Sequence, residues 1–384
     1  KSRARVQGPA PRYDAPDMLL RVLLVALALG AAVGCKPHGL QRPPDQKSLK
    51  ARSELMPEAD RLVDGLLLGR VSELHAWMSP SLKTMVRPPD LAATGERLRS
   101  NYGQPIGILE EKLHREGEVV WYSGLVVHAH GKPGAPGRVV RLVLYQFALD
   151  ENRALDRLLV REHLALGEIK GPARRYSLVT RVHFPSNGEW TITHGGKRAG
   201  TNYHHGSRAQ RFAYDMVVTK NGRSRQAGAD GNKDYYCYGY PVIAPAPGTV
   251  VTAINDVAEN RPGGKGVMGG NGVVIDHGFG EYSSLWHMIP GSVLVKVGDK
   301  VELGQELGKV GNSGRSSGPH IHYHVSTDPR DARRELGLPA PFVDVYVDGS
   351  WYPRRMPVRG ERVRRTRTDR KPRGQAEVLI DAAM

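Results

Sequence analysis

The chain is expected to fold as a β-rich, mostly antiparallel domain preceded by a small α+β domain, and three features of the sequence predict this. Its 384 residues are enough for two or three domains. The 45 glycines and 27 prolines, with only 7% aromatic residues, mark a turn-rich chain. Helix-like spacing of apolar residues occurs only near the start, and strand-like alternation dominates from about residue 106 onward.

Taken in order, residues 1–35 read as an N-terminal extension and a secretory signal. From Met18 the sequence runs MLLRVLLVALALGAAVGC, with one Arg, an apolar stretch from Val22 to Leu29, and small residues up to Cys35. The apolar run is short for a bilayer-spanning helix, which needs about 20 residues. Its Ala32-Val33-Gly34-Cys35 ending resembles the bacterial lipobox. That resemblance implies an exported protein, anchored in a membrane through a lipid on Cys35. Residues 36–57 are polar and Pro-bearing, as a tether would be. In 58–163, Leu62, Val63, Leu66 and Leu67 and then Val71, Leu74 and Trp77 recur at helical spacing, so two short helices are expected. Alternating runs at Val119–Tyr122, Leu125–Val127 and Val139–Tyr145 follow, separated by Gly/Pro turns, and together these make a small α+β domain. Residues 164–184 read as a linker. The β-rich domain is assigned to 185–345, with strands at Val242–Ala244, Thr249–Val251, Val273–Ile275, Val293–Val295 and His320–Val325. Residues 346–384 form a basic tail in which Pro353 to Arg373 reads as a solvated arm.

Lys and Arg number 55 against 39 Asp and Glu, a net charge of +16 that favours anionic partners. No base-reading motif accompanies the basic tail, so nucleic acid is not expected, and an anionic envelope polymer suits an exported chain better. Two cysteines, Cys35 and Cys237, exclude a disulfide framework and a multi-thiolate zinc site.

The sharpest chemical signal is GNSGRSSGPHIHYH, residues 311–324. Residues i and i+2 of a strand share a face, so His320 and His322 should present their imidazoles side by side. Upstream, NYHHGSRAQRFAYDM (202–216) carries His204, His205 and Asp215. Phe212, Tyr214 and Met216 alternate against Asp215, which therefore projects on the face opposite the bulky apolar set. His, Asp and His are a three-ligand zinc set with a fourth position open, the arrangement of catalytic rather than structural sites. His287 ends the strand-like run YSSLWH.

These motifs and their order, NYHHGSRAQRFAYD, PVIAPAPGTVV, GNGVVIDHG, YSSLWH and VKVGDKVELGQELGKVGNSGRSSGPHIHYHV, resemble the LytM-like, lysostaphin-like zinc metallopeptidases that cut peptide bonds of bacterial peptidoglycan. The resemblance spans about Asn202 to Thr327. It implies a β-rich catalytic domain binding one zinc ion through His204, Asp215 and His322, with His287 and His320 as catalytic histidines that do not hold the metal. It further implies a zinc-dependent metalloendopeptidase of the cell envelope, on the periplasmic side, with peptidoglycan as its partner. The chain departs from the family's commonest pattern in two places. Ten residues separate His204 from Asp215 where three are usual; the Asn-Tyr-His and Gln-Arg-Phe-Ala-Tyr-Asp elements resemble a long-spaced branch of the family and favour His204, with His205 as a second choice of ligand. His324 stands where an acidic or amide residue is frequent, on the same strand face as His322, either as a partner behind that residue or facing solvent. No HExxH helix supplies a glutamate base. The alternative is a catalytically silent module of the same kind that binds peptidoglycan or activates a wall amidase. Such modules have lost metal ligands, whereas all five positions here keep the required residue types.

Two other signals lead elsewhere. The VKVGDKVELGQELGKVG hairpin has the shape of a biotinyl or lipoyl carrier but no lysine at its tip. The Gly-rich run 261–272 lacks the Gly-Lys-Ser/Thr ending of a phosphate loop and enters a strand rather than a helix.

Overall fold

The computed structural model describes residues 56–116, 119–130, 140–163, 173, 176–228, 230–264, 266, 269–366 and 377–380. The signal segment, Cys35 and nearly all of the tether lie outside the described residues. Among the described residues no helix is long and apolar enough to cross a membrane.

Four helices open the described chain: α1 (Met56–Leu67), α2 (Val71–Trp77), α3 (Pro80–Met85) and α4 (Pro88–Tyr102). The first two follow the predicted apolar spacing. The other two are not expected from the sequence, although Leu91, Leu98 and Tyr102 of α4 share one buried face. The Pro-Pro pair that argues against a helix occupies its first turn, where the backbone N–H groups have no intrahelical partner to lose. These helices cover one face of the antiparallel sheet β1 (Gln104–Glu116), β2 (Val119–Ala129), β3 (Val140–Leu149) and β4 (Leu155–His163), with Tyr122, Val143, Tyr145 and Phe147 in the shared core.

The second sheet carries the site on β6 (Tyr214–Val217), β10 (Tyr282–Met288) and β13 (Ile321–Ser326), flanked by β5 (Glu189–His194) and β9 (Asn271–Asp276). It is extended by β8 (Gly248–Ile254), β11 (Lys300–Val301), β14 (Gly337–Leu338), β15 (Phe342–Val347), β16 (Ser350–Arg355) and β17 (Arg362–Arg365). These eleven strands run in the order β11-β8-β9-β10-β13-β6-β5-β17-β15-β16, with β14 beside β13. All pairings in this sheet are antiparallel. A separate antiparallel pair joins β7 (Pro241–Ile243) to β12 (Glu306–Lys309). A β-rich, mostly antiparallel unit following a small α+β unit is therefore what the chain forms.

Its core is aromatic as well as aliphatic. Tyr214 stacks with Tyr323 (6.2 Å between centroids), Phe342 packs on both, and the Tyr214 hydroxyl donates to the Ala340 carbonyl at 2.7 Å. Period-two alternation then forces the residues between these side chains onto the other face.

Three expectations change. Val293–Val295 is not a strand; Val293 is buried without joining the sheet. The stretch read as a linker is not a free connection: Tyr176, Leu178, Val182 and Phe184 are buried. Glu281, at the start of the β10 hairpin, accepts from the Val179 and Thr180 amides (both 2.7 Å) and the Tyr176 hydroxyl (2.8 Å). The arm expected to be solvated from Pro353 is in good part sheet, because β16 pairs with β15 and β17 lies between β15 and β5. Arginine density conceals the pattern: Val363 alternates inward between neighbouring arginines, and Arg364 lies over the Tyr346 ring. β18 (Glu377–Ile380) adds to β4 in parallel.

Two buried histidines outside the site are expected to make the fold acid-sensitive. Burial pushes both His163 and His277 down to about 4. His277 donates from Nδ1 to the Pro247 carbonyl (2.8 Å) and pairs through Nε2 with the Ser283 hydroxyl (2.7 Å). Both rings stay neutral in the fold, whereas in the unfolded chain they take a proton below about pH 6.5. The unfolding free energy is expected to fall as pH drops from 6.5 toward 4, by up to about 1.4 kcal/mol per pH unit for each group. Urea titrations across that range check this, and an unchanged slope in His277→Gln would remove His277 from the account.

Candidate metal centre

The ten residues between His204 and Asp215 are closed by Asn202. Its side-chain amide donates to the Gly196 and Ala213 carbonyls (3.2 and 2.9 Å), so the two ends of the loop are held together. Its Oδ1 accepts from the His204 amide (3.1 Å) and faces His204 Nδ1 at 3.0 Å. An amide oxygen can only accept, so Nδ1 carries the proton and Nε2 turns a bare lone pair toward Asp215 Oδ2, 3.6 Å away. Asp215 projects from β6 on the face opposite Tyr214 and Met216, as the alternation predicts. Opposite it in register lies His322 on β13, with Nδ1 2.9 Å from Asp215 Oδ1. His204, Asp215 and His322 thus bring one donor atom each within 4.8 Å of one another. All three are buried.

His320 sits one residue before β13, with Nε2 3.5 Å from Asp215 Oδ1 and Nδ1 donating to the Gly318 carbonyl (2.8 Å). His287 arrives by a different device. A bulge between Trp286 and Met288 breaks the pairing of β10 with β9, and His287 itself has φ of 74°. A bulge re-aims a side chain, and here it directs the ring inward, where its centroid lies 4.8 Å from that of His320 and 5.8 Å from that of His322. Its Nδ1 donates to the Ser313 carbonyl at 2.7 Å, so Nε2 is again the bare nitrogen.

The electrostatics follow from this packing. Although burial alone would raise it, the Asp215 carboxyl is held well below the carboxylate range by His320 and His322. Burial pushes His204 down to about 4. Burial, with His320 and His322 alongside, also carries His287 well below the imidazole range. Burial works against the charged form of His320 too, yet the facing Asp215 more than offsets it and raises that group.

All five predicted residues therefore converge. His205 turns out of the cluster, its Nε2 3.2 Å from Arg211 Nη1. His324 is not solvent-facing but buried beside His322. Two residues that open the first motif without an assigned role, Asn202 and Tyr203, also belong to the site. The Tyr203 ring lies 3.9 Å from that of His204 with much of its surface exposed, and burial of the hydroxyl end with Asp215 nearby pushes its phenol upward. An Asn two residues before the first histidine is a helix-cap type in front of the short turn Tyr203–Gly206, and that is the signal in the sequence that points to it.

A second group of potential ligands, Glu116, His183 and Asp344, lies elsewhere. There the Arg181 guanidinium stands 2.9 Å from Glu116 and 3.5 Å from Asp344 over the Trp121 ring, so a cation already occupies the place a metal would take.

The loop before His320 tolerates little change. Gly314 has φ of 73°, and a Cβ there would lie 1.7 Å from the Gly269 carbonyl oxygen. Asn260 holds this loop through the carbonyls of Asn312, Gly314 and Ser316 (2.6 to 3.0 Å). Gly314→Ala is expected to cost about 1–3 kcal/mol of stability and to displace the Ser313 carbonyl that orients His287. Thermal unfolding together with turnover checks this.

Residues 228–333 match the model of peptidase family M23, a stretch containing His287, His320 and His322. The peptidoglycan DD-endopeptidase ShyA of Vibrio cholerae is 39% identical over 87 residues, 23% of this chain and 17% of that protein. The glycyl-glycine endopeptidase ALE-1 of Staphylococcus capitis is 36% identical over 81 residues, 21% of this chain and 22% of that one. The chain thus spans less than a quarter of the length of either relative. Among solved structures, a zinc-containing peptidase from Vibrio cholerae aligns with 58% of this chain and 56% of its own at 18% identity and a TM-score of 0.27. Over residues 228–333 the chain is thus similar to peptidase family M23, and that stretch carries three of the five clustered side chains.

Proposed function

We propose that the chain is a zinc-dependent endopeptidase hydrolysing peptide bonds of bacterial peptidoglycan, in cross-links or stem peptides. The observation that carries this reading is the convergence of His204 Nε2 and His322 Nδ1 on the Asp215 carboxylate, with the far nitrogens of both imidazoles already committed to Asn202 and His324. Two neutral nitrogens and one carboxylate oxygen suit one zinc ion and leave a fourth position open. Bound there, zinc polarises the scissile carbonyl and makes a water acidic enough to attack near neutral pH. The chain's own groups do the rest. His287 presents a bare Nε2 at this position to take the proton of the attacking water, and His320, whose Nε2 faces the Asp215 carboxylate and is favoured in its protonated form, donates from that nitrogen to the oxyanion. Carbonyls of Ser313 and Gly318 keep those nitrogens turned inward.

The signal-like segment ending at Cys35 supports export and lipid anchorage in the envelope, and the net charge of +16 suits an anionic envelope polymer as a further contact. Incubation of the protein with defined peptidoglycan fragments, with and without chelator, tests the reading by mass spectrometry of the products. Chelator-sensitive peptide cleavage is expected. Binding without cleavage on every wall type would favour the silent, amidase-activating module instead.

A further inference from the structure

Resting on the reading of His322 as a zinc ligand, we propose that His324 and Glu335 are positioning residues that set the metal affinity of this centre through a relay behind His322. His322, His324 and Ser326 occupy alternate positions of β13 and so share a face. Behind the metal-facing Nδ1, His322 Nε2 lies 3.1 Å from His324 Nδ1. His324 Nε2 in turn lies 3.8 Å from Glu335 Oε1, an ion-pair distance rather than a close hydrogen bond, and that oxygen accepts from the Ser326 hydroxyl at 2.7 Å. Glu335 reaches this place because the segment ahead of β14 is stitched to β13. Thr327 and Leu336 exchange two bonds of 2.9 Å, and Ser326 pairs with Gly337.

Only one proton arrangement suits all three groups when His322 Nδ1 gives its lone pair to a cation. His322 Nε2 must carry the proton and donate it to His324 Nδ1. His324 must then carry its own proton on Nε2, facing the acceptor-only carboxylate. A ligating imidazole whose far N–H is bound toward a carboxylate is locked in its tautomer and strengthened as a donor. Here a second imidazole intervenes, so His324 should account for most of the effect and Glu335 for less.

Zinc affinity of the full chain, measured by competition with a chromophoric chelator at fixed pH, tests this. His324→Phe keeps a ring in the core but offers no acceptor, and it should weaken zinc binding by about 10- to 100-fold. His324→Gln restores an acceptor oxygen and should stay within about threefold of the parent, a rescue that a packing role would not produce. Glu335→Gln should weaken binding several-fold in the parent and not at all in the His324→Gln background, where the relay ends one residue earlier. Unchanged affinity in His324→Phe, or an equal cost of Glu335→Gln in both backgrounds, would overturn the relay alone. A parent protein that binds no stoichiometric zinc would overturn the metal-centre reading, and the relay with it.

Discussion

Asp215→Asn is expected to lose stoichiometric zinc and all peptidoglycan hydrolysis while keeping its fold. The amide preserves the shape but removes the one negative charge facing three imidazoles, so the cation would meet only neutral donors. Losing a direct ligand should exceed the about 10- to 100-fold that an outer hydrogen-bond partner is worth. His322→Ala should do the same by removing the imidazole whose Nδ1 faces the metal position beside Asp215. Metal content by mass spectrometry, with circular dichroism as the control for folding, measures both. A zinc-replete Asp215→Asn protein would remove Asp215 from the ligand set.

The second large effect separates chemistry from metal binding. His287→Ala and His320→Ala are expected to keep one zinc per chain and to lose about 10²- to 10⁴-fold in turnover, the usual worth of a general acid or base. This pair of variants matters because two ligand triads share His322: His204, Asp215 and His322, and an all-imidazole set of His287, His320 and His322. The first contains a carboxylate that offsets part of the cation's charge, and the second does not. If zinc disappears from His287→Ala but remains in His204→Ala, the two sets exchange roles.

Several parts of the site are legible in the amino-acid sequence because they rest on local periodicity. The His320/His322 spacing and the alternation of Tyr214, Asp215 and Met216 are period-two patterns. A strand that buries two large side chains must turn the residue between them the other way. The strand-rich, antiparallel character is legible for the same reason. Helix α4 is hidden by its proline pair, a breaker inside a helix but harmless in the first turn. β16 and β17 are hidden because arginines exposed on one side of an edge region look like a solvated arm until a partner strand is known.

The inventory of chemistry is written in the residues themselves: five side chains of the right types, two of them on one strand face, in a chain built mainly of antiparallel strands. How distant segments meet is settled by the fold. Asn202 closes a ten-residue loop to return His204 to Asp215, a bulge and a left-handed backbone turn His287 inward, and the pairing of β14 with β13 brings Glu335 behind His324. Side-chain direction along a strand is a property of neighbouring residues and can be read from them. Loop closure, register shifts and the tautomers selected by facing carbonyls depend on groups far apart in the chain, so they exist only once the sheet has formed.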